Sequence, residues 1–347
     1  KIKPGEAYNA DDVAETTKAF TEHFGNYGYA FAQVEAVPEV DRVNNRVAIT
    51  LRSEPSRRAY VRRINIQGNT RTRDEVIRRE FRQYESSWYD AEKIRLSRDR
   101  VDRLGYFTEL SVSSAEVPGA PDQVDLNVED KEKPTGSISI GAGYSSAEKL
   151  AFTFGLSQDN VFGSGNKLDL QLNTGKFNRT IVVSATDPYF TANGVSRTVD
   201  VYYRTQKPYQ DQGGNYTLIT MGAGLKFGVP VTELDTVYLG INAERTRIKP
   251  GTNIPAAYLD YANRFGYTSS AFPFTLGWSR DSRDSALAPN SGRYQRLLGE
   301  LGLFGDARYV KANYQYQQYI PLNKFYTLAF NGELGWGKGL SGRPFPV

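Results

Sequence analysis

Apolar and polar positions alternate in two different ways along this chain, and the change falls near Pro134. Upstream, helical spacing and short alternating runs take turns. Downstream, helical spacing nearly vanishes and long alternating runs follow one another.

The upstream part predicts two modules. In "YNADDVAETTKAFTEHFGNYGYA", Asn9 is placed to cap a helix on which Val13, Thr17, Phe20 and Phe24 recur at helical spacing; Gly25 and Gly28 end it. Extended runs follow over 31–37 and 46–51, with "DRVNNR" as the turn. One helix and a hairpin make a thin unit, so residues 1–55 are expected to be the back part of a domain. Residues 56–133 predict a fuller module. Strand 60–66 leads to a helix over 72–83, then a helix from Asp90 that stops at Gly105, then strands over 107–114 and 123–128. In this β-α-α-β-β order the helices cover one face of a three-stranded sheet, and residues 108–113 are expected at an edge.

Downstream, residues 134–347 predict about eleven strands. They lie near 136–145, 149–159, 166–175, 179–187, 196–206, 216–229, 235–247, 272–281, 293–303, 309–320 and 325–336. Leu150, Phe152, Phe154 and Leu156 share one face, with Thr153, Gly155 and Ser157 opposite. Leu168, Leu170 and Leu172 oppose Asp169, Gln171 and Asn173 in the same way. A soluble sandwich gives this binary pattern too. Strand length favours a membrane barrel, because most runs reach the ~9–11 residues that a tilted strand needs to cross a bilayer. The connections also alternate in kind. Short turns such as "DPYFTANG", "VPVTEL" and "IPLNK" lie on one side, and a long segment over 249–270 lies on the other.

Composition narrows the chemistry. The formal charge is +4, and the arginines between Arg57 and Arg103 are interleaved with acids, which reads as a solvated helical surface; no nucleic acid is expected as a partner. There is no cysteine, which excludes disulfide scaffolds and thiol nucleophiles and suits the cell envelope. The single histidine, His23, reads as a surface residue on a helix, so neither a Ser-His-Asp triad nor a multi-histidine metal site is expected. "GSGNK" (163–167) resembles half of a phosphate loop, but no helix follows it. The chain is therefore not expected to be an enzyme, and no cofactor is expected. No window approaches the ~18 apolar residues of a membrane helix, which leaves barrels untouched. The 23 tyrosines and 18 phenylalanines fit aromatic girdles.

Five phrases carry a family resemblance. They are "YVRRINIQGNTRTRDEVIRREFRQYE" (60–85), "RLGYF" (103–107), "VPGAPDQVDL" (117–126), "SQDNVFGSG" (157–165) and "DPYFTANGVS" (187–196). Together with the tandem modules and the long β-region, they resemble the BamA family of outer-membrane assembly proteins over the whole chain. The resemblance implies POTRA modules in the periplasm, fourth-like over 1–55 and fifth-like over 56–133. It also implies the N-terminal part of an outer-membrane barrel over 134–347, with about 11 of 16 strands present. The chain departs from the pattern at its end. "GKGLSGRPFPV" resembles the start of the long sixth surface loop, whose Val-Arg-Gly-Phe/Tyr motif and following strands are not present. An odd, unclosed membrane sheet would leave backbone groups unpaired in lipid, so the sequence is expected to be a fragment.

The resemblance also implies a mechanism without chemistry. The first barrel strand, Gly136, Ser137, Ile138, Ser139, Ile140, Gly141, Ala142, Gly143 and Tyr144, is expected to meet the last strand at a weak lateral seam. An opened seam offers free N–H and C=O groups to an incoming strand. Gly136, Gly141 and Gly143 are expected to loosen it; relief of crowding at a barrel corner accounts for them equally. The implied substrates are unfolded outer-membrane proteins, with membrane lipid as the receiving phase and no nucleotide. The edge bearing Thr108, Leu110 and Val112 is expected to take a substrate peptide. Arg82, Tyr84 and Glu85 are expected to dock an assembly-machine lipoprotein such as BamD. The alternative is a POTRA-containing two-partner secretion pore that passes one polypeptide through its lumen. Five upstream modules would mark the first reading and two the second.

Overall fold

The computed structural model describes residues 2–54, 56–145, 149–207, 215–284, 289–323 and 325–342. The chain divides into two compact units, residues 1–135 with 162–164, and the remainder.

The first unit opens with α1 (Ala10–Gly25). Asn9 caps it by accepting the N–H of Asp11 at 2.9 Å, as its short carboxamide allows. A hairpin follows, β1 (Gln33–Asp41) and β2 (Arg46–Glu54), in register from Gln33↔Glu54 to Asp41↔Arg46. The strand predicted from residue 31 begins two residues later, because Phe31 packs instead against the core of the next module.

That module is built from β3 (Tyr60–Gln67), α2 (Asp74–Arg78), α3 (Ala91–Arg103), β4 (Phe107–Val117) and β5 (Ala120–Glu132). β5 lies centrally, parallel to β3 and antiparallel to β4. Alternation along β5 puts Val124, Leu126 and Val128 on the helix side, where they bury completely with Val61, Val76, Ile77, Phe81 and Val101. The helix predicted over 72–83 is only five residues long. Ser97 Oγ accepts the N–H groups of Arg82 at 2.7 Å and Gln83 at 3.2 Å, so these amides leave the helical ladder. The buried Gln83 side chain then ties down the following loop. Its Nε2 donates to the carbonyls of Tyr84 and Trp88 and to Ser87 Oγ, and its Oε1 accepts the Asp90 N–H at 2.9 Å. Glu80 is buried with Arg100 at 2.8 Å.

The second unit is one antiparallel sheet of eleven strands in sequence order. They are β6 (Gly136–Ser145), β7 (Lys149–Gln158), β8 (Lys167–Thr174), β9 (Asn178–Asp187), β10 (Ser196–Gln206), β11 (Tyr216–Pro230), β12 (Asp235–Pro250), β13 (Thr268–Asp281), β14 (Gly292–Gly305), β15 (Tyr309–Pro321) and β16 (Thr327–Gly339). The long connection predicted over 249–270 carries a helix that its pattern did not reveal, α4 (Ala256–Phe265). Lys167, after the glycines at 163 and 165, opens a strand rather than a helix. Among the described residues no helix is long and apolar enough to cross a membrane, which says nothing of strands.

The two faces of this sheet differ in kind. One carries exposed apolar side chains, among them Ile140, Phe152, Val201, Met221, Ile241, Phe274 and Leu334. The other is polar and internally bonded. Tyr202 Oη donates to Glu244 at 2.6 Å and accepts from Asn242 Nδ2 at 2.8 Å, and its ring lies over Gly222. Tyr309 donates to Glu300 in the same manner. Exposed apolar and bonded polar rows on opposite faces are the pattern of a sheet between lipid and a lumen.

Candidate functional site

β6 pairs with β7 alone, from Gly136↔Gln158 to Ser145↔Lys149; among the described residues its other edge has no partner strand. Alternation divides its residues cleanly. Ile138, Ile140 and Tyr144 stand on the apolar face at 68, 78 and 74 % exposure. Ser137, Ser139, Gly141 and Gly143 occupy the polar face. The glycines are not equivalent. A Cβ on Gly141 would meet Thr153 Oγ1 at 2.5 Å, and one on Gly136 would strike Gln158 Oε1; both therefore admit side chains from β7. Reciprocally, Gly155 of β7 admits Ser139 Oγ. Gly143 faces open space. Side chains and glycines of β6 and β7 are thus fitted to one another across the ladder.

The three residues of the predicted docking trio are held in different ways. Tyr84 projects into solvent at 62 % exposure. Arg82 folds back, its Nη1 donating to the carbonyls of Arg79 and Phe81 at 3.3 Å. Glu85 is anchored: Oε1 accepts the N–H of Ile64 at 2.9 Å and pairs with Arg78 at 3.3 Å. Arg78 in turn reaches Asp74 at 2.8 Å and the Ile64 carbonyl at 3.1 Å. The guanidinium of Arg78 is held above its ordinary value, first by its hydrogen bond to Asp74.

The two edges of the three-stranded sheet differ. Residues 86–89 run beside β3 and cover it: Val61 N–H donates to the Ser87 carbonyl, Ser86 N–H to Val61, and Tyr89 N–H to Ala59. Among the described residues β4 has only β5 for a neighbour. Leu110 and Val112 lean on the core, whereas Thr108 does not share their alternation. It is the extra residue of a bulge between Phe107↔Glu132 and Glu109↔Lys131, and its Oγ1 donates to the Lys131 carbonyl at 3.2 Å. A bulge bends an edge strand, so the straight part of this edge begins at Glu109.

At the end of β5, Glu132 clasps the loop before α2. Its carboxylate accepts the N–H groups of Thr70 at 3.0 Å, Arg71 at 2.9 Å and Thr72 at 2.6 Å, and the Thr70 hydroxyl at 3.0 Å. Burial alone would push this carboxyl up, but the donors on Thr72, Arg71 and Thr70 outweigh it and hold it at about 2. Two residues away, both side-chain oxygens of Asp130 are buried without a hydrogen bond. Burial, then repulsion from Glu132, pushes Asp130 up to about 6. Neither acid was singled out from the sequence, because the loop that Glu132 binds lies some sixty residues away in the chain.

The Omp85 superfamily domain matches residues 160–347, and the POTRA model, described as a surface antigen variable number repeat, matches 1–54 and 59–133. The chain belongs to the Omp85 superfamily. The outer membrane protein assembly factor BamA of Neisseria meningitidis serogroup B is 36% identical over 97% of this chain, which covers 44% of that relative. The chain thus spans under half the length of that protein. The crystal structure of BamA from Haemophilus ducreyi lacking POTRA domains 1-3 matches 99% of this chain and 68% of its own, with 28% identity and a TM-score of 0.75. CdiB from Escherichia coli shares the fold, with a TM-score of 0.55 at 13% identity over 96% of this chain and 63% of its own. As in that superfamily, the eleven-stranded sheet is outer-membrane barrel and the preceding modules are periplasmic POTRA domains. The expected sixth-loop start falls partly on residues 343–347, which lie outside the described residues.

Proposed function

We propose that this chain is part of an assembly factor that folds unfolded outer-membrane proteins and inserts them into the outer membrane. An incoming strand pairs with the free edge of β6, further hairpins accumulate on it, and the new barrel leaves into lipid. Each step is downhill, because backbone groups find partners and apolar faces leave water. No nucleotide or cofactor is required, and no bond is made or broken. The observation that supports this reading is the make-up of β6: of its three glycines, Gly136 and Gly141 admit side chains of β7 and Gly143 meets nothing, so little side-chain packing holds this strand.

In this reading the two modules are the fourth and fifth POTRA domains. The β4 edge from Glu109 onward receives peptide by strand addition, and the surface at Tyr84 docks a lipoprotein such as BamD. The likeness to CdiB carries the fold alone, so the secretion-pore alternative gains nothing from it.

The test is a disulfide in the full-length protein between Ser139→Cys and a cysteine in its final strand. This chain has no native cysteine to compete. Proteoliposomes carrying the oxidised protein are expected to lose insertion of a client barrel and to regain it on reduction. Undiminished insertion with the crosslink formed would overturn the seam mechanism.

A further inference from the structure

Along β12 the apolar face carries Val237, Leu239, Ile241 and Ala243, and then, on the same face, Arg245, Arg247 and Lys249. Asp235 opens that row at the other end. Ten residues separate Asp235 from Arg245, about 33 Å along a strand. At the usual tilt of barrel strands this is about 25 Å across the membrane, the height of an apolar band. Arg245 therefore stands at the boundary opposite the end where β6 begins, which in a periplasm-fed barrel is the outer leaflet.

At the periplasmic boundary some cations are occupied within the protein, while Arg293 is exposed there. Arg280 pairs with Asp235 at 3.2 Å, Trp278 Nε1 donates to the same carboxylate at 3.1 Å, and Arg197 lies 4.5 Å over the Phe190 ring. On the outer side Arg245 and Arg247 are exposed, and among the described residues they have no acidic partner. Glu244, adjacent in sequence, points to the other face and holds Tyr202.

Beneath these arginines the apolar face is furrowed. Arg245 itself lines a depression of about 560 Å³ walled by Val201, Tyr203, Met221 and Phe272. A second of about 750 Å³, lined by Ala223, Ile241, Phe274 and Leu301, shares Ala243 and Phe272 with the first. Its origin is local. Ala223 and Ala243 face each other across the ladder with only methyl groups. Between Ile241↔Phe274 and Glu244↔Ala271 the β12–β13 ladder keeps its register but carries no pairing, and Pro273 on β13 has no N–H to give. Beyond it β13 and β14 shift register between Ala271 and Pro273.

We propose that this face holds a phosphate-bearing lipid of the outer leaflet, its phosphate on Arg245 and Arg247 and an acyl chain in the furrow. Arginine suits the task, because its planar fork binds phosphate oxygens in pairs and is weakly hydrated at an interface. The adjacent apolar furrow distinguishes a lipid from a free anion, which would need no chain-sized trough.

Native mass spectrometry of the full-length protein in mild detergent tests this, with diphosphoryl lipid A and phosphatidylcholine as competing probes. The protein is expected to retain lipid A about fivefold or more over phosphatidylcholine. Arg245→Gln with Arg247→Gln is expected to abolish the preference, and Arg245→Lys with Arg247→Lys to keep part of it. Heat-modifiable migration of each variant reports that its barrel is folded. Equal retention of both lipids by the unaltered protein would overturn the proposal, whatever the fate of the variants. So would undiminished lipid A preference in the folded glutamine variant.

Discussion

The carboxylate of Glu85 accepts the main-chain N–H of Ile64 at 2.9 Å, across twenty-one residues of chain. Glu85 thus partners a mid-strand amide of β3 as well as being a surface acid. Ile64 is almost fully buried, so its amide has no water to fall back on. Glu85→Lys removes the acceptor and places a cation beside Arg78, with an expected loss of about 1–3 kcal/mol. A urea titration followed by Trp88, the one tryptophan of the periplasmic unit, measures it. Loss of lipoprotein binding in this variant would not separate docking from folding.

Tyr84→Ala separates them. The side chain is exposed, so its removal is expected to change stability by under about 0.5 kcal/mol. If this surface docks the lipoprotein, co-purification is expected to fall severalfold at unchanged urea midpoint. Full co-purification would remove Tyr84 from the interface.

Glu132→Gln is expected to cost the periplasmic unit about 2 kcal/mol, since three amides lose a charged acceptor. Because Glu132 is held from 4.5 down to about 2, its contribution is complete above about pH 4.5 and is lost as pH falls through 2. Hydrogen exchange at Thr70, Arg71 and Thr72 is expected to accelerate in the variant at pH 7, while the amides of β5 stay protected.

Asp130 has the opposite sign. Its folded value is raised from 3.8 to about 6, so its contribution is complete below about pH 3.8 and is lost as pH rises through 6. Asp130→Asn mimics the protonated form. It is expected to match the unaltered protein near pH 3.8 and to be more stable by about 1–2 kcal/mol at pH 7.5, after allowance for solvent screening. Urea midpoints at the two pH values decide the matter; equal midpoints at pH 7.5 would refute it.

Gly222→Val tests the polar face of the sheet. A Cβ there would lie 2.5 Å from the Tyr202 ring and 3.0 Å from the Ala243 carbonyl. The ring must leave, and with it the hydrogen bonds to Glu244 and Asn242. The temperature at which the barrel loses its heat-modifiable migration is expected to fall by several degrees, and Tyr202→Phe to lower it less.

Alternation with a period of two was legible in the sequence wherever one face meets lipid or core, because every second side chain must then be apolar. It located eleven strands, and Leu150, Phe152, Phe154 and Leu156 do face their neighbours on β6 across the apolar side. Capping was equally legible at Asn9, since a short polar side chain acts on amides two residues on. What escaped depends on partners distant in the chain. The helix after residue 72 stops early because Ser97 takes its amides. Thr108 bulges because β5 sets the register. Glu85 turns inward to Ile64, and Glu132 gathers a loop that composition leaves anonymous. The sequence by itself determined which residues lie on which side of the unbulged strands, because that follows from local geometry and burial. Only the tertiary structure decided which polar groups are occupied and by whom, because hydrogen bonds are short and their partners are brought within reach by folding alone.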